Sequence, residues 1–364
     1  MGAIAPPIYL TSNFKFETFE QEQAYEYSRT ANPTRDLLAD TVAKLECGAG
    51  AVVTSSGMAA INLVLGLLKQ GDIVVAPRDC YGGTHRLLSS LCDRGVIKVT
   101  FVDQGDTMAL IEAFYPMPAL VLIETPSNPL MRVADIRAIS ELARQAGSKV
   151  AVDNTFLSPA LQHPIELGAD FVIHSTTKYL NGHSDVVGGA VVAADKNDLQ
   201  SLRSWANITG VTGSPFDSYL TLRGIRTLYP RIERQQATAQ LVASFLSEHL
   251  KVAAVHYPGL STHPGHDLAT RQQLGFGAML SFELKGGLQA VRCFVAAIRV
   301  FTLAESLGGV ESLVAHPATM THVGMGPEAR MAAGITDSLL RLSIGLEAEV
   351  DLISDLERSL ASIA

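Results

Sequence analysis

Between residues 52 and 192 the chain repeats one unit: a short apolar run, a polar or glycine-containing end, then a stretch of helical spacing. The runs fall at 52–53, 73–76, 99–102, 119–123, 150–152 and 171–173. Ile136, Ile139, Leu142, Ala143 and Ala146 mark one face of a helix between two of them, and Gly147 stops it. Apolar runs without alternation are strands buried on both faces, and intervening helices join them in parallel. The pattern predicts an α/β chain with a mostly parallel sheet and right-handed crossovers. Loops at one edge of such a sheet converge, so Gly57, Tyr81, Glu124, Asn128, Asp153, Ser175 and Lys178 can meet although far apart in sequence.

Lys178 stands in His-Ser-Thr-Thr-Lys-Tyr-Leu-Asn-Gly-His-Ser-Asp (174–185), between the run 171–173 and a second apolar stretch, 186–192. Lysines are rarely buried without a partner. This one either reaches a surface or sits in a cavity for its amine chemistry, such as a Schiff base with a carbonyl. Asp153 follows an all-apolar strand and needs a cation or several donors, in a structural or a functional role. Gly57, in Thr-Ser-Ser-Gly-Met-Ala-Ala (54–60), opens a helix over 61–68. That turn is either plain capping or an anion site where glycine admits a ligand to the backbone. Tyr81 precedes Gly82 and Gly83, expected as a loop, and can stack on a planar ring; Arg86 can pair with an anion. Both also suit ordinary partly exposed positions. Arg341, in the apolar strand 339–344, requires a carboxylate or another set of acceptors, and if no protein acid serves, a substrate carboxylate is the natural bidentate partner.

With 364 residues, 47% hydrophobic and 18% charged, the chain is long enough for two well-packed domains and for surface buried between subunits. Residues 1–43 show little periodicity before a helical pattern from Leu37 and read as an N-terminal arm. Its aromatic-and-arginine segment, with Tyr27 and Arg29, is either a solvated loop or reaches into a neighbour to bind an anion. An α/β unit over 44–235 and a smaller α+β unit over 236–364 follow. A helical stretch, 215–250, is interrupted by Gly224 and Pro230; the second unit adds a strand at 278–284, helices at 289–297 and 350–360, and loops at 305–312 and 316–322.

The net charge of −8 is dispersed and no apolar run is long enough for a bilayer, so neither nucleic acid nor membrane is an expected partner. The N-terminus lacks a signal peptide's features, and the four cysteines, without CxxC spacing, read as reduced thiols with no metal site. The expected location is cytoplasmic. Neither GxGxxG nor GxxxxGK[ST] occurs, which counts against a non-catalytic nucleotide-binding protein, the alternative of another class.

A Schiff-base lysine, an aspartate for a pyridinium nitrogen, a stacking tyrosine, a helix N-terminus with hydroxyls and an arginine for an α-carboxylate together describe pyridoxal phosphate and an amino acid. Ser-Arg-Thr-Ala-Asn-Pro-Thr-Arg (28–35), Ser-Ser-Gly-Met-Ala-Ala (55–60), Asp-Cys-Tyr-Gly-Gly (79–83), Glu-Thr-Pro-Ser-Asn-Pro (124–129), Val-Asp-Asn-Thr-Phe (152–156), the lysine motif and Ala-Glu-Ser-Leu-Gly-Gly-Val-Glu-Ser-Leu (304–313) resemble the transsulfuration family of pyridoxal-phosphate enzymes. The resemblance runs from about residue 6 to the C-terminus. It implies the fold-type I, aspartate aminotransferase-like architecture: a mostly parallel seven-stranded sheet domain and a smaller C-terminal α+β domain.

It also implies roles. Lys178 would hold the cofactor, Asp153 would pair with its ring nitrogen, and Tyr81 would stack on the ring and help release Lys178. Gly57, Met58, Ser175 and Thr177 would bind the phosphate, joined by Tyr27 and Arg29 of a neighbouring subunit. Asn128 would contact the phenolic-oxygen side of the ring. Arg341 and Ser306 would hold the substrate α-carboxylate, and Arg86 and Glu305 would face its distal part. Residues 101–106, 205–213 and 216–220 are similar to bacterial members that perform γ-replacement, turning O-succinylhomoserine and L-cysteine into L-cystathionine and succinate. Members that cleave cystathionine or sulfhydrylate acylhomoserine use the same residues and are the alternatives. The family's active unit is a dimer, usually paired into a tetramer. Two departures stand out. The chain begins close to Pro6–Pro7–Ile8, so the usual N-terminal helix is expected to be missing, at some cost to the tetramer. Glu26 and Thr30 stand where some members have an aspartate and a second arginine, which bears on succinyl-ester selectivity.

Overall fold

Every apolar run of the repeating segment forms a strand. They are β1 (Gly50–Thr54), β2 (Ile73–Pro77), β3 (Lys98–Val102), β4 (Leu120–Glu124), β5 (Lys149–Asp153) and β6 (Phe171–His174), joined by β7 (Gly189–Ala193). The structure, a computed structural model, describes residues 4–363; the first three residues of the expected arm and the last residue of the C-terminal unit lie outside the described residues. The seven strands form one sheet in the order β1-β7-β6-β5-β4-β2-β3, in which only β7 runs antiparallel to its neighbours. All five residues of β4 are buried, as a strand covered by helices on both faces requires.

A second sheet has five strands, β8 (Val252–His256), β9 (Met279–Leu284), β10 (Thr302–Leu303), β11 (Leu313–Ala315) and β12 (Leu339–Ser343), in the order β10-β11-β12-β9-β8. Its pairings are antiparallel except β10 with β11. The helix Leu228–Glu248 contributes Ile232, Ala239 and Val242 to an apolar core that also takes Val172 and Val192 from the first sheet and Leu280, Phe282 and Leu342 from the second. Positions 44 and 235, where the sequence reading divides the chain, lie within the helices Pro33–Leu45 (α1) and Leu228–Glu248.

Local chemistry sets the helix ends around the sheet edge. Asn32 caps α1, its side chain accepting the Thr34 N–H at 3.0 Å, with Pro33 at the first helical position. Ser56 caps α2 (Gly57–Leu65), accepting the Ala59 N–H at 3.1 Å. Gly147, at φ 71°, ends the helix Ile136–Ala146 in the left-handed conformation that only glycine adopts without strain.

Several expectations shift. Gly82 and Gly83 open a helix, α3 (Gly82–Asp93), instead of forming a loop. A Cβ on Gly82 would lie 2.6 Å from the Thr321 carbonyl oxygen, so close packing selects these glycines rather than turn geometry. Residues 186–188 precede β7 instead of belonging to it, because Gly188 pairs with the Thr177 hydroxyl: its N–H donates at 3.0 Å and its carbonyl accepts at 3.2 Å. The stretch 215–250 is two helices, Pro215–Ile225 and Leu228–Glu248; Pro230 sits in the first turn of the second, where its missing N–H costs nothing. The strands β8 and β11 and the helices Thr107–Phe114 and Lys196–Thr209 were not legible from periodicity.

Candidate active site

The C-terminal ends of β4, β5 and β6, the N-terminus of α2 and the second unit enclose a cleft of about 390 Å³. Gly57, Met58, Tyr81, Glu124, Asn128 and Asp153 line it from the first sheet's edge, with Ser175, Thr177 and Lys178 from the turn after β6. Glu305, Ser306 and Arg341 close it from the second unit. Of the fourteen site residues expected from sequence, these eleven (Glu124 had no assigned role) meet in one place.

The Lys178 turn is held from both sides. Its carbonyl accepts the Gly182 N–H at 2.7 Å, and the buried Arg231 donates to the Tyr179 carbonyl at 2.9 Å. Lys178 Nζ donates to Ser306 Oγ at 2.7 Å. Burial, then the nearby positive charge of Arg341, pushes the Lys178 amine down to about 8, with Glu305 pulling the other way. A lysine in that state still holds its proton at pH 7 but gives it up far more readily than an ordinary lysine, which brings its nucleophilic amine form within reach.

Asp153 ends β5 beside Glu124, its register partner at the end of β4. Burial pushes the Asp153 carboxyl up, opposed by Thr155, whose N–H it accepts at 3.0 Å. Glu124 accepts the Tyr81 N–H on one oxygen and the Asn128 N–H on the other, both at 2.8 Å. Burial and the charge of Asp153 push Glu124 up. Tyr81 lines the cleft and is 39% exposed.

The N-terminus of α2 offers the free N–H groups of Gly57 and Met58 beside the Ser175 and Thr177 hydroxyls, an anion cradle. A Cβ on Gly57 would lie 2.7 Å from Ser175 Cβ, so only glycine keeps the cradle open. Ser175 has little room to yield, since its N–H donates to Thr155 Oγ1 at 2.9 Å. Arg341, 2% exposed on β12, donates to Asn128 Oδ1 at 2.8 Å and to the Ser306 carbonyl at 2.9 Å. No carboxylate of the described residues pairs with it, and its Nε–H has no acceptor among them. Ser306 holds φ at 81°, a conformation that L-residues adopt at functional sites at a cost on the order of 1 kcal/mol or more.

Three expected residues stand elsewhere within one chain. Arg86 is exposed on α3 and does not line the cleft. Tyr27 and Arg29 lie on the arm, Arg29 Nη1 donating to the Asn207 carbonyl at 2.8 Å, and line a separate surface hollow with Arg35 and Gly213. Sequence reasoning passed over Thr155, which fixes both Asp153 and Ser175, and left Glu124 and His322 without roles; Glu124, after an apolar strand, carried the same signal as Asp153. It also missed a buried pair behind the cleft, Glu46 with His174 (2.6 Å), which no local pattern announces. Among the described residues no group of side chains could hold a metal ion, and no helix is long and apolar enough to cross a membrane.

The profile of the family described as Cys/Met metabolism PLP-dependent enzyme matches residues 1–361. Cystathionine gamma-synthase of Escherichia coli is 57% identical over 357 residues, 98% of this chain and 92% of that protein. Cystathionine gamma-lyase of Bacillus subtilis is 46% identical over 100% of this chain and 95% of its own length. The crystal structure of cystathionine gamma synthase from Xanthomonas oryzae pv. oryzae in complex with aminoacrylate and cysteine superposes with a TM-score of 0.98 at 57% identity, covering 99% of this chain and 94% of that one. The fold is that of the fold-type I enzymes, and the chain belongs to the Cys/Met metabolism family of pyridoxal-phosphate-dependent enzymes.

Proposed function

We propose that the chain catalyses γ-replacement, joining L-cysteine to O-succinylhomoserine to give L-cystathionine and succinate, the activity of a cystathionine γ-synthase. The observation that carries the reading is one cleft holding a lysine that gives up its proton readily, a buried carboxylate, a glycine-lined anion cradle and a buried arginine without a carboxylate. These residues fit pyridoxal phosphate: the cradle that a Cβ on Gly57 would fill suits a phosphate, and Lys178 is an amine free to react with an aldehyde. When bound, the cofactor supplies an electron sink that stabilises carbanion character beside the substrate nitrogen.

In this reading Gly57, Met58, Ser175 and Thr177 bind the phosphate, Asp153 keeps the ring nitrogen protonated, Tyr81 stacks on the ring and Asn128 contacts its phenolic oxygen side. Arg341 and Ser306 bind the substrate α-carboxylate. Lys178 Nζ takes the proton from substrate Cα and then moves protons at Cβ; a group that titrates at about 8 serves in both directions. The bond from Cγ to the ester oxygen breaks, succinate leaves, and the cysteine sulfur forms the new bond to Cγ while its proton is taken up. Glu305 faces the distal part of the substrate from the cleft wall, and Arg86 reaches that part from α3 outside the cleft only by turning its side chain inward.

The reading extends to assembly. Tyr27 and Arg29 cross to a neighbouring cleft, the arm, the α/β unit and the α+β unit divide near 43 and 235, and the enzyme works as a dimer of dimers in the cytoplasm. A second reading, cleavage of cystathionine, rests on the 46% identity to a γ-lyase over the whole chain; sulfhydrylation would use the same residues. A product assay separates them. Cystathionine formed from O-succinylhomoserine and cysteine, with little ammonia released from cystathionine alone, supports synthesis. Rapid cleavage of cystathionine with no synthesis overturns it.

A further inference from the structure

One hydrogen-bonded chain runs through the cleft from Tyr81 to Lys178. The Tyr81 N–H donates to Glu124 Oε2 and the Asn128 N–H to Glu124 Oε1, Arg341 donates to Asn128 Oδ1 and to the Ser306 carbonyl, and Lys178 donates to Ser306 Oγ. Asn128 is the joint in this chain, because its side-chain oxygen aims the Arg341 guanidinium. What fixes Asn128 is a pair of contacts to its backbone. Glu124 takes its N–H at 2.8 Å, and His322 meets its carbonyl oxygen with Nε2 at 2.9 Å.

His322 comes from the 316–322 segment of the second unit and is fully buried. A carbonyl oxygen only accepts, so Nε2 carries the hydrogen, and Nδ1 accepts from the Thr321 hydroxyl at 2.8 Å. Both ring nitrogens are therefore used, and the ring stays neutral: burial, then the Arg341 charge, pushes it down to about 4. The segment itself is wedged in place, since the Thr321 carbonyl oxygen would touch a Cβ on Gly82, the residue after Tyr81.

We infer that His322 and Glu124 are positioning residues that clamp the Asn128 backbone from two sides and so set how Arg341 receives the substrate carboxylate. The inference rests on the reading of Arg341 as the carboxylate site. Removing the His322 donor leaves the Asn128 carbonyl buried without a partner, and the loop relaxes to find one. Arg341 then loses its aim, while the phosphate cradle and the Lys178 backbone, held by other contacts, stay in place.

The test compares binding of L-homoserine and of aminopropanol, its decarboxylated counterpart, to the holoenzyme, alongside cofactor affinity and melting temperature. Wild type prefers homoserine. His322→Phe should reduce that preference about tenfold, the size of one lost buried hydrogen bond, with cofactor affinity little changed. His322→Gln, which keeps an amide donor at similar reach, should restore it. Glu124→Gln, which loses one acceptor but keeps its size, should also weaken the preference, and decides the matter if His322→Phe does not fold. Equal weakening of both ligands, or an unchanged preference in folded His322→Phe or Glu124→Gln, overturns the inference. Arg341→Met separates the two layers. Loss of the preference there, but not in the His322 and Glu124 variants, overturns the inference alone, and a preference that survives Arg341→Met overturns the carboxylate reading and the inference together.

Discussion

Replacing Lys178 by methionine should stabilise the cofactor-free protein at neutral pH. Burial and Arg341 lower the Lys178 amine from its ordinary 10.5 to about 8, which makes its charged form about 3 kcal/mol costlier in the folded chain than in the unfolded one. Below pH 8 both states hold the proton and the whole cost is present. Between about 8 and 10.5 the unfolded state binds more protons, so stability rises with pH and the cost fades. Methionine fills similar space without charge but leaves Ser306 Oγ without its donor, a loss of about 1 kcal/mol. The net gain at pH 7 is about 2 kcal/mol, or a rise of about 2–3 °C in melting temperature for a chain of this length. Thermal unfolding of both cofactor-free proteins across pH measures it, with the cofactor excluded because it stabilises only the wild type. A variant no more stable than wild type at pH 7, or a gain that persists undiminished at about pH 10, would refute the account of Lys178 as a lysine buried for function at the expense of stability.

Gly57→Ala places a methyl 2.7 Å from Ser175 Cβ, and cofactor affinity by equilibrium titration should fall about tenfold or more; unchanged affinity would remove the cradle from the account. If Asp153 pairs with the ring nitrogen as proposed, Asp153→Asn removes the charge from that pair and should lower turnover at least about a hundredfold with the circular dichroism spectrum intact. A loss below threefold, on the order of 1 kcal/mol or less, would exclude it from the chemistry. Mixing Arg29→Ala subunits with Lys178→Ala subunits should regenerate activity if the arm crosses between subunits, since some clefts then combine an intact Lys178 with an intact Arg29; no activity in verified mixed oligomers would place Arg29 in its own chain's service.

The inner strands of the first sheet were legible because burial on both faces removes alternation, leaving runs such as Leu120–Ile123 that stand out beside helical spacing; the edge strand β3, with Lys98 and Thr100 exposed, was legible from its apolar residues alone. The converging strand ends followed from topology, which is why Asp153 and Lys178 could be brought to one cleft from sequence. Strands of two or three residues, β10 and β11, are too short to carry a period, and β8 has exposed and half-buried positions that blur it. Gly82 and Gly83 looked like a turn because their role is close packing, Gly82 against the distant Thr321 and Gly83 against the Tyr81 ring and Met58, which local sequence does not show. His322 and Glu46 act through backbone and buried contacts across the fold, and such partners leave no local spacing to read.

All of this centres on Lys178 as the amine that carries the cofactor. Reducing the holoenzyme with borohydride, digesting it and mapping the pyridoxyl label by mass spectrometry tests that directly. The account predicts the label on the peptide containing Lys178. Lys149 is exposed, bonded to Asp170 and Asp198, and held in its charged form by them, so it should stay unlabelled. A label on Lys149 or any other lysine, with Lys178 unmodified, would contradict the account.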